Sequence, residues 1–244
     1  MGNPTAAMLV IGDEILSGRT KDANLGHLAQ QLTNIGVDLK EARVVADVHD
    51  QIVDAVRALS RKWDHVFTSG GIGPTHDDIT ADAIADVFDV GIDVRADALA
   101  LLRDHYARTG TDLNAARMRM ARIPAGGELI DNPVSIAPGF TLENVHVMAG
   151  VPAIFQAMVA SVLPLMTGGE PLLSRTIRID LPEGEIATAL RNIANRFPNV
   201  AIGSYPFILD GRFGSNIVFR SADPDDMGAA IEAMMVLAPT GREL

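Results

Sequence analysis

The chain has 244 residues, enough for one large domain or two, and 48% of them are apolar, enough for a real core. A net charge of −11, one Trp and 5% aromatic residues argue against nucleic-acid binding, which needs basic and stacking surfaces, and against an anionic membrane surface. There is no cysteine, which removes disulfides, thiolate zinc sites and cysteine nucleophiles; no apolar run reaches the roughly 18 residues of a bilayer span, and Met1-Gly2-Asn3-Pro4 lacks a signal-peptide pattern, so a cytoplasmic protein is expected.

Ala6–Ile11 is a continuous apolar run that reads as a buried strand entering a loop at Gly12-Asp13-Glu14. Leu25, Leu28, Ala29, Leu32 and Ile35 follow helical spacing, and Gly36 stops that helix. Val37–Val45 reads as a second strand, and Asp50 is placed to cap a helix carrying Ile52, Val53, Val56 and Leu59. A third strand, His65–Thr68, enters the glycine-rich string Ser69-Gly70-Gly71-Ile72-Gly73-Pro74-Thr75-His76-Asp77-Asp78-Ile79-Thr80, and helices follow at Ile79–Phe88 and Ala96–Ala107. Residues 108–144 are less regular, and Asp131–Phe140 reads as a loop rich in turn formers. Val145–Met148 is a strand, followed by Gly150-Val151-Pro152, with Pro152 suited to the first turn of a helix.

Strand alternating with helix predicts a mostly parallel sheet covered on both faces. After Thr167-Gly168-Gly169-Glu170-Pro171 the order becomes strand, helix, strand, strand, helix, which predicts a smaller α+β module with a split βαβ sheet. The expected domains are 1–168 and 172–244.

In a parallel α/β sheet, ligands sit beyond the carboxyl ends of the strands. Four loops fall there: Gly12–Gly18, Ala46–Asp50, Ser69–Asp78 and Ala149–Pro152. In the third, Gly70, Gly71 and Gly73 free backbone N–H groups to cradle a phosphate at a helix N-terminus, with Pro74 and Thr75 completing the turn. The loops also carry Asp13, Glu14, Asp47, Asp77 and Asp78, hard oxygen donors that suit a divalent cation such as Mg²⁺ or Mn²⁺. Asp82 and Asp86 read as helix-dipole residues. Of six histidines only His76 lies in the glycine string; His27, His49, His65, His105 and His146 are expected on helix or strand surfaces. There is no G-x-S-x-G elbow, H-E-x-x-H helix or Walker lysine.

Five ordered motifs carry a family resemblance: Gly12-Asp13-Glu14-Ile15-Leu16-Ser17-Gly18, Asp22-Ala23-Asn24, the Ser69–Thr80 string, Asn132-Pro133-Val134 with Ala137-Pro138-Gly139-Phe140, and Gly150-Val151-Pro152. This succession resembles the molybdopterin-binding (MoaB/Mog-like) domain of competence/damage-inducible protein A, CinA, and is similar to the N-terminal domain of FAD synthases. The resemblance implies a three-layer α/β/α fold, a homo-oligomer, and one of three functions. CinA-type and FAD synthase-type domains hydrolyse ADP-ribose or FAD, the former with a divalent metal (Mg, Mn or Co); Mog-type proteins bind molybdopterin and adenylate it; a binding module without turnover is the third. The first is the preferred expectation. On that basis Asp78 and Asp47 are the expected catalytic residues, and Asp13, Glu14, Asp77 and Asp78 the expected metal ligands. Gly70, Gly71, Gly73, Pro74, Thr75, Asn24, Gly150 and Pro152 are expected to contact the nucleotide or pterin. Two departures stand out. Asp13 occupies a position where CinA-type chains usually have Thr, and Ile136 is apolar in a loop where relatives often have a polar residue.

Overall fold

The first strand of the N-terminal sheet is β1 (Thr5–Ile11), an interior strand buried from Ala6 onward. Ala7, Leu9 and Ile11 enter one core while Ala6, Met8 and Val10 enter the other, which is why the strand reads as an unbroken apolar run. The computed structural model describes residues 2–244; Met1, the expected first residue of the N-terminal domain, lies outside the described residues. The chain divides into two compact units, one ending at Gly169 and one spanning Glu170–Leu244.

In the first unit β1 pairs in parallel with β2 (Asp38–Val45) and with β3 (His65–Ser69). The helices of this unit are α1 (Asp13–Leu16), α2 (Asn24–Asn34), α3 (His49–Ser60), α4 (Thr80–Phe88), α5 (Ala96–Thr109), α6 (Ala115–Met118) and α7 (Pro152–Val162). The short strands β4 (Ile92–Val94) and β5 (Arg122–Pro124) form a separate antiparallel pair. Strands β6 (Glu128–Ile130), β7 (Gly139–Leu142) and β8 (Val145–Met148) complete the main sheet in the order β2-β1-β3-β8-β7-β6, with β8 parallel to β3 and the last two pairings antiparallel. Leu28 and Leu32 of α2 pack with Phe155, Met158 and Val159 of α7 on one face. Ile52 and Val56 of α3, Ile84 of α4 and Leu102 of α5 pack on the other. The result is the expected α/β/α three-layer, mostly parallel architecture.

The local signals that set element ends behave unequally. Gly36, at φ 68°, closes α2, with the Val37 N–H bonded to the Leu32 carbonyl at 2.9 Å. Pro152 occupies the first turn of α7. Asp50 does not cap α3: the helix starts at His49, and Asp50 is an exposed first-turn residue beside the helix dipole. Asp82 forks with Arg122 through bonds of 2.6 and 2.8 Å, so it is an ion-pair residue. Gly139 and Phe140, expected in a loop, begin β7. Strands β4 to β8 have three or four residues each, too few to show a period-two pattern in sequence.

The second unit comprises β9 (Leu173–Ile179), α8 (Glu183–Arg196), β10 (Ala201–Leu209), β11 (Arg212–Ser221), α9 (Pro224–Leu237) and the two-residue β12 (Arg242–Glu243). Sheet order is β10-β11-β9-β12 with antiparallel neighbours, so β9 and β10 run parallel with β11 between them, the expected split arrangement. Asp210 and Gly211 turn the β10–β11 hairpin with φ values of 50° and 74°. Ile177, Ile179, Ile217 and Phe219 of the sheet pack with Ile186, Ile193, Met227 and Met234 of the two helices.

Two histidines depart from the expected surface placement. His146 on β8 is buried, and its Nε2 lies 3.2 Å from Nδ1 of His65 on the neighbouring β3, which is half-buried. Thr141 Oγ1 lies 3.0 Å from His146 Nδ1, and the Phe67 ring stands 4.8 Å away. Parallel pairing of β3 with β8 brings these residues together, a long-range effect with no local signature. Burial first, and the neighbouring His65 second, depress the His146 pKa from 6.5 to about 4. The unfolded chain therefore takes up a proton that the folded chain refuses between those values, and stability present above about pH 6.5 is lost as pH falls toward 4. In urea titrations across that window we expect His146→Gln to flatten the pH slope of unfolding free energy, by at most about 1.4 kcal/mol per pH unit for one proton. An unchanged slope would place the acid sensitivity elsewhere.

Candidate functional site

The site is built on backbone approaches that only glycine allows. At Gly70, just past β3, φ is 113°, and a Cβ there would lie 2.2 Å from the Ile11 carbonyl oxygen at the end of β1. At Gly71 φ is 70°, and a Cβ would lie 2.1 Å from Thr80 Oγ1 at the start of α4. Thr80 fastens the turn, its N–H donating to the Gly71 carbonyl and its hydroxyl to the Gly70 carbonyl, each at 3.0 Å. A Cβ on Gly150, after β8, would come within 3.3 Å of the Gly70 Cα. These glycines are required by the fold itself, beyond any space a ligand needs.

Asn24 locks the same junction. Its side chain, 3% exposed, donates from Nδ2 to Ser69 Oγ and to the Gly150 carbonyl, both at 2.8 Å. It does not line the cavity, so the expected ligand contact is instead a clamp beneath the site. The N–H of Gly70 donates to the Met148 carbonyl at 3.0 Å and is not available to an anion. The N–H groups of Gly71, Ile72 and Gly73 take no partner among the described residues. The cradle is thus shifted one residue along from the expected one. Thr75 turns inward: its N–H and hydroxyl donate to Asp78 Oδ2 at 2.7 and 2.5 Å, which fixes the Asp78 carboxylate beside Gly73.

Above this turn opens a cavity of about 540 Å³ at the C-terminal ends of β1, β3 and β8. The structure brings Glu14, Asp47, Asp77 and Asp78 to it, together with Gly70, Gly71, Gly73, Pro74, Gly150 and Pro152, and leaves Asp13 and Thr75 outside the lining. Asp13 serves from the rim, its N–H donating to Asp47 Oδ2 at 2.9 Å. Partial burial raises the Asp47 pKa above the ordinary carboxylate value; the Asp13 N–H opposes this, and the charges of Asp13, Glu14 and Asp77 add to it. Among the described residues no Lys, Arg or His lines the cavity. Among the described residues no three Asp, Glu or His side chains gather into a group able to hold a metal ion alone. The expected metal quartet is therefore not a preassembled cage: Asp78 spends one oxygen on Thr75, and Asp13 lies outside the cavity lining.

Several lining residues escaped the sequence reading. Met120, from the turn between α6 and β5, and Ile72 and Ile154 give the cavity apolar walls. Ser135 comes from the Asn132–Ala137 loop, where Asn132, 2% exposed, donates to Ser135 Oγ and the Ala137 carbonyl at 2.7 Å and accepts from the N–H groups of Val134 and Ser135. Ile136 in this loop has φ 68°, a left-handed conformation that a β-branched side chain rarely adopts. The Asn-Pro and Ala-Pro-Gly punctuation marked the loop; only the tertiary contact shows that it reaches the cavity.

A three-layer domain with a glycine-lined, acid-rimmed cavity at the carboxyl ends of its parallel strands belongs to the ligand-binding α/β class. Comparison with known proteins narrows this: the chain belongs to the molybdopterin-binding domain family, matching the description "probable molybdopterin binding domain" over residues 7–168, with a match to "FAD synthase, middle domain" over residues 171–242. A protein from Pyrobaculum calidifontis is 34% identical over 212 residues, covering 83% of this chain and 81% of its own. A probable FAD synthase from Caenorhabditis briggsae is 31% identical over 96% of this chain, which spans only 49% of that relative. Among solved structures, CinA from Thermoplasma acidophilum, described as of unknown function, superposes with a TM-score of 0.60 at 34% identity, over 65% of this chain and 95% of its own. No helix among the described residues is long and apolar enough to cross a membrane.

Two substitutions separate clamp from rim. Asn24→Ala removes two buried hydrogen bonds and is expected to cost about 1–3 kcal/mol in denaturant unfolding. Asp47→Asn keeps an acceptor for the Asp13 N–H but removes a charge that its neighbours oppose. Its unfolding free energy at neutral pH should rise, by no more than about 0.5 kcal/mol because solvent screens this partly exposed group, and its thermal midpoint should rise with it. A fall would show that the Asp47 charge is stabilising.

Proposed function

We propose that this domain is a divalent-metal-dependent pyrophosphatase acting on ADP-ribose, FAD or a similar nucleotide. One observation carries the reading: the cavity is lined by four carboxylates and, among the described residues, by no cationic side chain, and its glycine turn leaves the N–H groups of Gly71, Ile72 and Gly73 without partners. The N–H groups suit a phosphate, while the carboxylates would repel it unless a cation lies between. Glu14, Asp77 and the second oxygen of Asp78 supply hard donors. Their failure to form a closed group agrees with the habit of Mg²⁺, which takes one or two carboxylates and completes its shell with phosphates and water. When bound, such an ion supplies charge neutralisation at the phosphate oxygens.

The chain's own residues do the remaining work. The turn from Gly71 to Gly73 holds phosphate oxygens, and Thr75 fixes Asp78 beside them. Ile72, Met120 and Ile154 offer an apolar wall for a flat ring. Asp47, whose pKa partial burial raises, is the carboxylate that accepts a proton from an attacking water in this reading. The same wall and cradle would accept molybdopterin, and the family assignment keeps adenylyl transfer to that pterin as the second reading.

Purified protein incubated with ADP-ribose should release AMP and ribose 5-phosphate, and with FAD should release AMP and FMN, in each case only with Mg²⁺, Mn²⁺ or Co²⁺, and chelation should stop it. Asp47→Asn should lower kcat/KM about 100-fold, roughly 2.7 kcal/mol of transition-state stabilisation. Tight molybdopterin binding with no hydrolysis under any of the three metals would replace this reading with the second.

A further inference from the structure

Behind the glycine turn lies a recess that the main cavity does not include. It shares Gly71, Ile72, Gly73, Asp78 and Met120 with that cavity, and its remaining wall carries two arginines. With about 20 Å³ of room, it admits a water or an oxygen or two of a larger group, and no ring.

The two arginines differ in what they already hold. Arg122 forks onto Asp82 at 2.8 and 2.6 Å and is neutralised there. Arg119 has no carboxylate partner among the described residues. Its Nη2 reaches only the Asp78 carbonyl, at 3.4 Å, and its buried Nε has no partner. A buried donor left without a partner costs free energy, and a partly buried guanidinium without a counter-ion is unusual in a chain of net charge −11. An anion entering the recess would satisfy both.

We propose that Arg119 binds an oxygen of a second phosphoryl group, so that the site selects ligands bearing two adjacent phosphates over those bearing one. The inference rests on the reading of the cavity as a phosphate site. One phosphate lies on the N–H groups from Gly71 to Gly73 on the acidic side. The next lies toward Arg119 in the adjoining recess, which shares Gly71, Ile72, Gly73, Asp78 and Met120 with the cavity, and the planar guanidinium fork matches phosphate oxygens. The glycine turn then stands between a carboxylate face and a guanidinium face, and a diphosphate is the ligand that uses both. If Arg119 only staples the turn before β5 to Asp78, its loss lowers stability and touches all ligands alike.

The test measures binding of AMP and ADP by calorimetry with Mg²⁺ present, in the wild type, Arg119→Met and Arg119→Lys, with thermal midpoints recorded alongside. Wild type should bind ADP at least about tenfold more tightly than AMP, in line with one charge-assisted hydrogen bond. Arg119→Met should abolish that preference while AMP affinity stays within about twofold, and Arg119→Lys should restore part of it. Equal affinities in the wild type, no binding of either nucleotide, or a preference that survives Arg119→Met would each overturn the proposal. If Arg119→Met does not fold, the Lys variant decides: an unchanged ADP preference there, with the fork gone, counts against it. Hydrolysis of ADP-ribose that persists while the preference is unaffected would remove Arg119 from the site and leave the pyrophosphatase reading standing.

Discussion

The contact on which the site depends is the backbone crossing at Gly70. The Ile11 carbonyl occupies the place where a side chain on Gly70 would stand, and Gly150 approaches from the other side. The ends of β1, β3 and β8 can therefore converge, and no residue but glycine lets the loops leave the sheet so close together. Thr80 and Asn24 hold the crossing from above and below, one through the start of α4 and the other through Ser69 and the Gly150 carbonyl. Beyond that junction, the N–H groups of Gly71, Ile72 and Gly73 have no partner among the described residues.

The electrostatics of the rim follow from the same convergence. Loops after β1, β2 and β3 each bring a carboxylate, so bringing the strand ends together also brings Glu14, Asp47 and Asp77 together. The Asp47 pKa is raised first by partial burial, and the neighbouring charges of Asp13, Glu14 and Asp77 add to it. A fold that concentrates like charge where it could have dispersed it accepts lower stability in exchange for a strong local field, the arrangement common at functional sites.

The sequence made the glycine string, the strand-helix alternation and the change of pattern near Gly168-Gly169 legible because each rests on local rules: φ angles, apolar periodicity and turn composition. What it hid depends on partners distant along the chain. The sequence marks Asn24 as a ligand contact, and its place as a clamp shows only when β3 and the β8 loop close around it. His65 and His146 are separated by most of the sheet's sequence and meet only through the β3–β8 pairing. Arg119 lies in the region that looked irregular, where strands of three residues carry no period. Asp50 and Asp78 show the converse limit. Both are acids beside a helix start, yet one is an exposed first-turn residue while the other is bound by Thr75, and residue type alone does not separate them.

Ile136 gives the cavity a further property. A β-branched residue held at φ 68° costs roughly 1–2 kcal/mol, and here the wiring of Asn132 maintains it. Because that cost is met when the domain folds, the Asn132–Ala137 loop is preorganised and a ligand need not order it. The same stored strain lowers the free energy needed to open this loop locally. Substitution by glycine, which removes the strain, would also widen the loop's conformational range. Rigidity and ease of opening are thus set at one residue, and sequence drift at position 136 would trade one against the other without touching any group that meets the ligand.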